Sequence, residues 1–274
     1  MKKKIAIAAG LILIVFIGMY LRSSNSRDKD GLLLSGTVEV TEVNVGFKIP
    51  GRVLALFTDE GRQVNEGDRI AALDSAEFES LVNQGKASVR NAEAQFEKAH
   101  KDHERFTTLY KDGVIASQQM DAAKTAYDVA LSQLQLSRAS LRTADVKLKD
   151  SVIHAPLKGV VFKKNVEAGE TVGSGVAVFT IGDLENPWVK VYVKEDKLGL
   201  VKLGQKAEVR VDSFPKKKYE GTVTSISSEA EFTPKNVQTR EERVKLVFGV
   251  KVRVKNQNDE LKPGMPADVK ILYK

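Results

Sequence analysis

The chain has 274 residues, 42% hydrophobic and 29% charged, a balance that excludes wholesale disorder. It has no cysteine, which excludes a disulfide framework, a thiolate zinc site, a thiol nucleophile and an N-terminal lipid-modified cysteine. The net charge of +7 arises from lysines interleaved with acids, so it reads as a mixed solvated surface rather than a nucleic-acid footprint. Aromatic residues are sparse at 7%, which suits long helices and small β modules better than one large core.

Lys2, Lys3 and Lys4 precede an uncharged run from Ile5 to Leu21. At about 17 residues it is at the short limit for a membrane helix and long for a signal-peptide core. Residues 1–22 therefore read as a single-pass membrane anchor, with a cleaved signal peptide as the competing reading. Either way the lysines stay in the cytoplasm and the rest of the chain lies outside. Residues 23–34 read as a linker.

Residues 36–49, GTVEVTEVNVGFKI, alternate with a slip at Thr41–Glu42, the mark of a bulge or bend between two strands. Then comes a pattern that occurs twice, G-x-V-x7-G-x2-V-x2-G. Gly51, Val53, Gly61, Val64 and Gly67 match Gly159, Val161, Gly169, Val172 and Gly175 at constant offset. Each copy reads as short strands between tight turns, with the glycines at corners that need positive φ and the valines facing a small core. One copy alone is too small to bury a core, so the two are expected to pair as halves of one sandwich or flattened barrel. The pattern resembles the biotinyl/lipoyl carrier fold, including IHAPLKG at 153–159, which is similar to the entry to that family's second half. The short hairpin bearing a modifiable lysine is replaced here by residues 75–151.

That insertion is helical. Phe78, Val82, Gly85, Val89, Ala92, Phe96, Ala99, His103, Phe106 and Tyr110 recur at alternating spacings of four and three. From Met120 the spacing resumes through Ala123, Tyr127, Ala130, Leu134, Ser137, Leu141, Ala144 and Leu148. This is the heptad signature of a coiled coil. Between the runs lies KDGVIAS, where Gly113 is placed to end the first helix in the left-handed conformation and Ser117 to cap the second. The expectation is an antiparallel hairpin, each helix about 50 Å long at 1.5 Å per residue. Its length reads as a spacer that holds a contact site away from the β module. Residues 184–274 follow as five or so short strands, with Pro263-Gly264 as a turn in LKPGM, and suggest a small antiparallel barrel.

Taken together, the split repeat, the helical hairpin, the barrel and LKPGM resemble the periplasmic adaptors, or membrane fusion proteins, of the haemolysin D-like family. The segment EAEFTPKNVQTREERVKLVFGVKV is similar to the branch that serves ABC-type exporters. The resemblance implies an α+β, elongated, multidomain fold: an N-terminal membrane helix, a leading strand and first lipoyl-like half at 35–74, a coiled-coil hairpin at 75–151, a second half at 152–183 and a β-barrel at 184–274. It implies a non-enzymatic ring-forming adaptor in the inner membrane, with its main body in the periplasm. Such an adaptor bridges an inner-membrane exporter, here of ABC type, to an outer-membrane duct of the TolC type for export of small molecules or drugs. An envelope scaffold that uses the hairpin for another partner shares every fold feature, and a biotin or lipoate carrier is the remote alternative. The chain ends soon after LKPGM, so a separate membrane-proximal domain is expected to be absent or vestigial.

The resemblance also implies which residues make contacts. Family members that dock on the duct often carry Arg, Leu and Ser at the tip, Leu four and Ser eleven residues after Arg. Arg105 and Leu109 match, position 116 is alanine, and the serine comes next as Ser117. Arg105, Leu109, Gly113, Ile115 and Ser117 are the candidate contact residues. His100 and His103 lie three apart, but His103 falls on the seam and no third ligand accompanies them, so no metal and no cofactor are expected. His154, before Ala155-Pro156, reads as structural. Lys216, Lys217 and Lys218 read as a solvated hairpin loop, or as a contact with anionic lipid heads or an acidic transporter surface.

Overall fold

A computed structural model of the chain describes residues 31–232 and 246–273. The anchor or signal expected at 1–22 lies outside the described residues, among which no helix is long and apolar enough to cross a membrane. The chain divides into two compact units, one of residues 42–182 and one joining the residues up to Thr41 with those from Asp183 onward.

The first unit holds two four-stranded sheets. One has the order β2(Glu42–Gly46), β9(Ala177–Gly182), β7(Gly159–Lys164), β4(Gln63–Val64). The other runs β6(Val152–His154), β5(Arg69–Leu73), β3(Gly51–Leu56), β8(Thr171–Val172). Each half of the repeat lends a strand to the other's sheet. β4 pairs with β7 through Val64 and Gly159, and β8 pairs with β3 through Val172 and Gly51, which are matching positions of the two copies. Gly61 N–H donates to the Val161 carbonyl and Gly169 N–H to the Val53 carbonyl, each at 2.8 Å, so the relation is an approximate two-fold. Val53, Val64, Val161 and Val172 are buried together with Phe47, Ile70, Phe179 and Ile181. Each such side chain contributes about 1.5–3 kcal/mol of burial energy.

The glycines divide into two kinds. Gly61, Gly67, Gly169 and Gly175 have φ between +76° and +95°, as expected for turn corners. Gly51 and Gly159 do not, which corrects the reading of them as turn residues. They open β3 and β7, where a Cβ on Gly159 would stand 2.4 Å from the Gly182 carbonyl oxygen and one on Gly51 would stand 2.9 Å from Leu73 Cδ1. The reason for glycine at these two positions is close approach rather than positive φ.

The second unit is a closed six-stranded barrel, in the order β1(Gly31–Glu39), β10(Trp188–Lys194), β13(Leu246–Val254), β12(Tyr219–Phe232), β11(Lys206–Val211), β14(Pro266–Leu272). Here the structure differs from the expected boundaries. β1 begins inside the segment read as linker, and it belongs to the barrel rather than to the first lipoyl-like half. Among the described residues the strands after residue 184 number five, which leaves two open edges; β1 closes them by pairing with both β10 and β14. The slip at Thr41–Glu42 is the point where the chain leaves the barrel for the sandwich. The return lies beside it, with Asp183 N–H donating to the Thr41 carbonyl at 3.0 Å.

LKPGM fastens this closure. Gly264 has φ +87° and donates its N–H to the Val38 carbonyl, while Val38 N–H donates to the Met265 carbonyl, both at 2.9 Å. Trp188 Nε1 donates to Glu39 at 3.0 Å at the far end of β1. Asn256, 4% exposed, donates to the Leu184 and Leu261 carbonyls and accepts from Leu261 N–H, so its buried amide is satisfied.

These two kinds of glycine predict different costs. Gly159→Ala must push the Gly182 backbone aside and is expected to cost about 1–3 kcal/mol. Gly61→Ala has open space around it and meets only the left-handed penalty, about 1 kcal/mol once the stiffer unfolded chain is counted. Denaturant midpoints of the two variants check the order.

Candidate functional site

α1(Ala76–Lys111) and α2(Ser117–Asp150) leave the sandwich from adjacent strands: β5 pairs with β6, and Leu73 N–H donates to the Ser151 carbonyl at 2.8 Å. The two ends of the insertion therefore already lie side by side, and a hairpin of any length closes there. Val82, Ala92, Leu134 and Ser137 are buried between the helices. Phe78, Val89, Phe96, Phe106, Met120, Tyr127, Leu141 and Leu148 are half-buried, and Phe78 packs against the sandwich core. Gly85 faces Leu141, where a Cβ would stand only 3.1 Å from Cδ1. Tyr110, the last residue of the run on α1, is 47% exposed, because the seam ends before the turn.

Phe96, His100, His103 and Tyr127 form one ring cluster across the seam. His103 and Tyr127 are stacked with centroids 5.1 Å apart, and His100 stacks on Phe96 at 5.8 Å. No group of three His, Asp or Glu side chains able to hold a metal occurs among the described residues.

The hairpin has two unlike flanks. Residues one position before the seam are mostly uncharged on both helices: Ser88, Asn91 and Gln95 on α1, and Ala122, Ala126 and Val129 on α2. They line an open groove of about 890 Å3 floored by Ala92, Ala99, Ala123 and Ala130, with Lys98 and Asp102 as its charged residues. Residues one position after the seam are largely charged, and there Arg138 of α2 pairs with Glu93 of α1 at 2.8 Å.

The tip is built by backbone bonds. Val114 N–H donates to the Leu109 carbonyl at 2.9 Å and Gly113 N–H to the Tyr110 carbonyl at 3.0 Å, with Gly113 at φ +72°. This is the Schellman termination that glycine favours. It brings Leu109 and Ile115, both half-buried, to one turn with Val114, which is 67% exposed. Val114 was missed by the sequence reasoning because it lies off the heptad phase; its signal is an apolar residue directly after the terminating glycine. Arg105 is exposed but tied to its own helix, paired with Asp102 and 5.7 Å from the Phe106 ring. Ser117 does not cap α2. It is the first helical residue, and the cap position is Ala116, in extended conformation (φ −76°, ψ 153°). Gln119 Oε1 accepts Ala116 N–H at 3.3 Å, and the alanine has no side-chain acceptor to return.

In the barrel, the turn between β11 and β12 carries the lysine run. Lys217 pairs with Glu260, and Lys218 with Glu208 at 3.0 Å. Tyr219, 6% exposed, donates its hydroxyl to Glu260 at 2.7 Å. Burial, reinforced by that carboxylate, pushes the Tyr219 phenol up to about 12 from 10.0. Hydrogen bonds from Lys217 and Tyr219 hold Glu260 below the usual carboxylate range.

A β-sandwich split by a helical hairpin and a closed barrel fastened by LKPGM together define an adaptor architecture, and comparison with known proteins agrees. Residues 41–183 match the CzcB-like barrel-sandwich hybrid domain and residues 187–273 the CusB-like β-barrel domain. The chain belongs to this family, the membrane fusion or periplasmic adaptor proteins, which are non-enzymatic structural adaptors. It is 29% identical to the membrane protein YbhG of Salmonella gallinarum, over 100% of this chain and 98% of the relative. Its fold matches the membrane fusion protein Spr0693 of Streptococcus pneumoniae, with TM-score 0.70, 19% identity and coverage of 89% of this chain and 99% of that one. It also matches MacA of Actinobacillus actinomycetemcomitans, with TM-score 0.69, 22% identity and coverage of 90% and 79%.

Ala116→Ser supplies the missing cap acceptor and is expected to stabilise the hairpin by about 1 kcal/mol, read as a rise in the thermal midpoint of its helical signal. A second expectation concerns pH. The raised Tyr219 pKa means stability that is complete below pH 10.0 and lost as pH rises towards about 12. Denaturation across that range is expected to show this loss in the native chain and not in Tyr219→Phe.

Proposed function

We propose that this chain is the periplasmic adaptor of a tripartite efflux system. It is anchored in the inner membrane by residues 1–22, serves an ABC-type exporter there, and meets an outer-membrane duct with its hairpin tip. The observation that carries the reading is the hairpin itself. It extends about 50 Å from the sandwich at 1.5 Å per residue and ends in apolar side chains. A two-helix arm with so little core adds little stability for its length, so its use is reach. Leu109, Val114 and Ile115 supply apolar contact at the end of that reach, with Arg105 as a polar tie and the Gly113 turn setting their presentation.

The mostly uncharged flank of the hairpin supports side-by-side packing of copies in a ring, since helices pack closely through small uncharged residues with little charge to desolvate. The resemblance of residues 229–252 to the ABC-exporter branch supports the transporter class. A carrier function has no place for its lysine, because the connection between β5 and β6 is the helical hairpin.

Site-specific photocrosslinking from Val114 in cells tests the contact. The expected adduct is an outer-membrane channel protein, and Leu109→Glu is expected to abolish it without lowering the thermal midpoint. Adducts with a different envelope protein would instead establish the scaffold reading.

A further inference from the structure

We propose that the end of the barrel where β1 begins rests on an anionic lipid surface through the loop that carries Leu200 and Leu203. This rests on the reading of residues 5–21 as the membrane anchor. Gly31, the first residue of β1, pairs with Leu272 at the end of β14, and Ala207 at the start of β11 pairs with the adjacent Ile271. The chain entry and the start of β11 therefore flank one strand end, about 10 Å apart across two strand spacings. The polar stretch 22–30 reaches no more than about 30 Å when fully extended, so this strand end is held within that distance of the anchor's exit from the bilayer.

The same place exposes apolar side chains. Leu33 is 70% exposed, Leu203 65%, Leu200 49% and Tyr273 37%. The loop is held rigidly rather than left loose. Val201 is buried in the barrel core, and the buried Gln205 accepts Lys202 N–H at 2.7 Å and donates to the Leu200 carbonyl at 3.1 Å. Gly204, at φ +80°, turns the chain into β11. A loop that buries Val201 and Gln205 while presenting leucines on either side offers preorganised apolar tips. Between 194 and 206 stand four lysines against Glu195 and Asp196, and Lys202 and Lys206 flank Leu203. Apolar tips ringed by lysine are the composition that inserts shallowly at anionic headgroups.

The other lysine-rich turn, 216–218, lies at the opposite end of β11, and its Lys217 and Lys218 are already paired with Glu260 and Glu208. The two turns thus make opposite predictions about which end of the barrel meets lipid.

The chain has no cysteine, so Leu203→Cys and Ser213→Cys each give one unique labelling position on the full-length protein. An environment-sensitive fluorophore at each is read in vesicles of phosphatidylcholine, with and without phosphatidylglycerol, that contain a headgroup-level quencher lipid. The expected result is a blue shift and loss of most emission at 203 in the phosphatidylglycerol vesicles, a smaller loss in pure phosphatidylcholine, and none at 213. A water-exposed signal at 203 in protein that floats with the vesicles overturns the proposal and leaves the anchor reading standing. Failure of the protein to float overturns both. Quenching at 213 instead assigns lipid contact to the lysine turn and overturns the proposal, and equal quenching in both vesicle types overturns the anionic assignment.

Discussion

Two hydrogen bonds of 2.8 Å, from Gly61 N–H to the Val161 carbonyl and from Gly169 N–H to the Val53 carbonyl, join halves of one β module across the helical hairpin. Around them the halves exchange β4 and β8, so neither sheet is complete without a strand from the other copy. The exchange makes the module a single cooperative core and sets β5 beside β6. That adjacency lets the hairpin grow from the module without disturbing it. The barrel-sandwich module thereby serves as a base, with the arm occupying the connection between β5 and β6.

The arm obeys a different physics. Its seam is narrow, with small residues at Gly85, Ala92, Ala99 and Ala130 that let the backbones approach. Charge is concentrated on one flank, where Arg138 meets Glu93, while the other flank is mostly uncharged around an open groove whose charged residues are Lys98 and Asp102. Helices that pack along one flank favour such sorting, because burying unpaired charge costs several kcal/mol. The turn at Gly113 adds a contact surface that depends on backbone geometry more than on side-chain bonds, and the missing acceptor at Ala116 leaves the start of α2 less firmly capped than it can be.

Much of this architecture was legible in sequence. The repeat showed two β halves because valines and glycines recur at matched positions, and the heptads showed both helices and their seam because alternating spacings of four and three have no other simple reading. Legibility failed where a residue's reason lay in a distant partner. Gly51 and Gly159 look like the turn glycines beside them in the pattern, yet their constraint is the side chain of Leu73 and the carbonyl of Gly182. Ser117 looks like a cap, but α2 starts one residue earlier than that reading requires, with Ala116 at the cap position and Ser117 already helical. Val114 lay outside the heptad phase, and its exposure follows only from the path of the turn.

Local periodicity and turn chemistry determined from the sequence alone that the chain holds a duplicated β unit, a long helical hairpin and a strand-rich end, because these signals depend on neighbours within a few residues. The tertiary structure decided how the pieces close. β1 leaves its sequence neighbours to become the sixth barrel strand, fastened by Val38 to the Pro263-Gly264 turn. The two copies of the repeat interleave rather than stack, and Gly31, Leu203 and Tyr273 gather at one end of the barrel. Strand pairing joins residues far apart in the chain, and which edges remain open to be paired is settled only when the whole sheet is assembled.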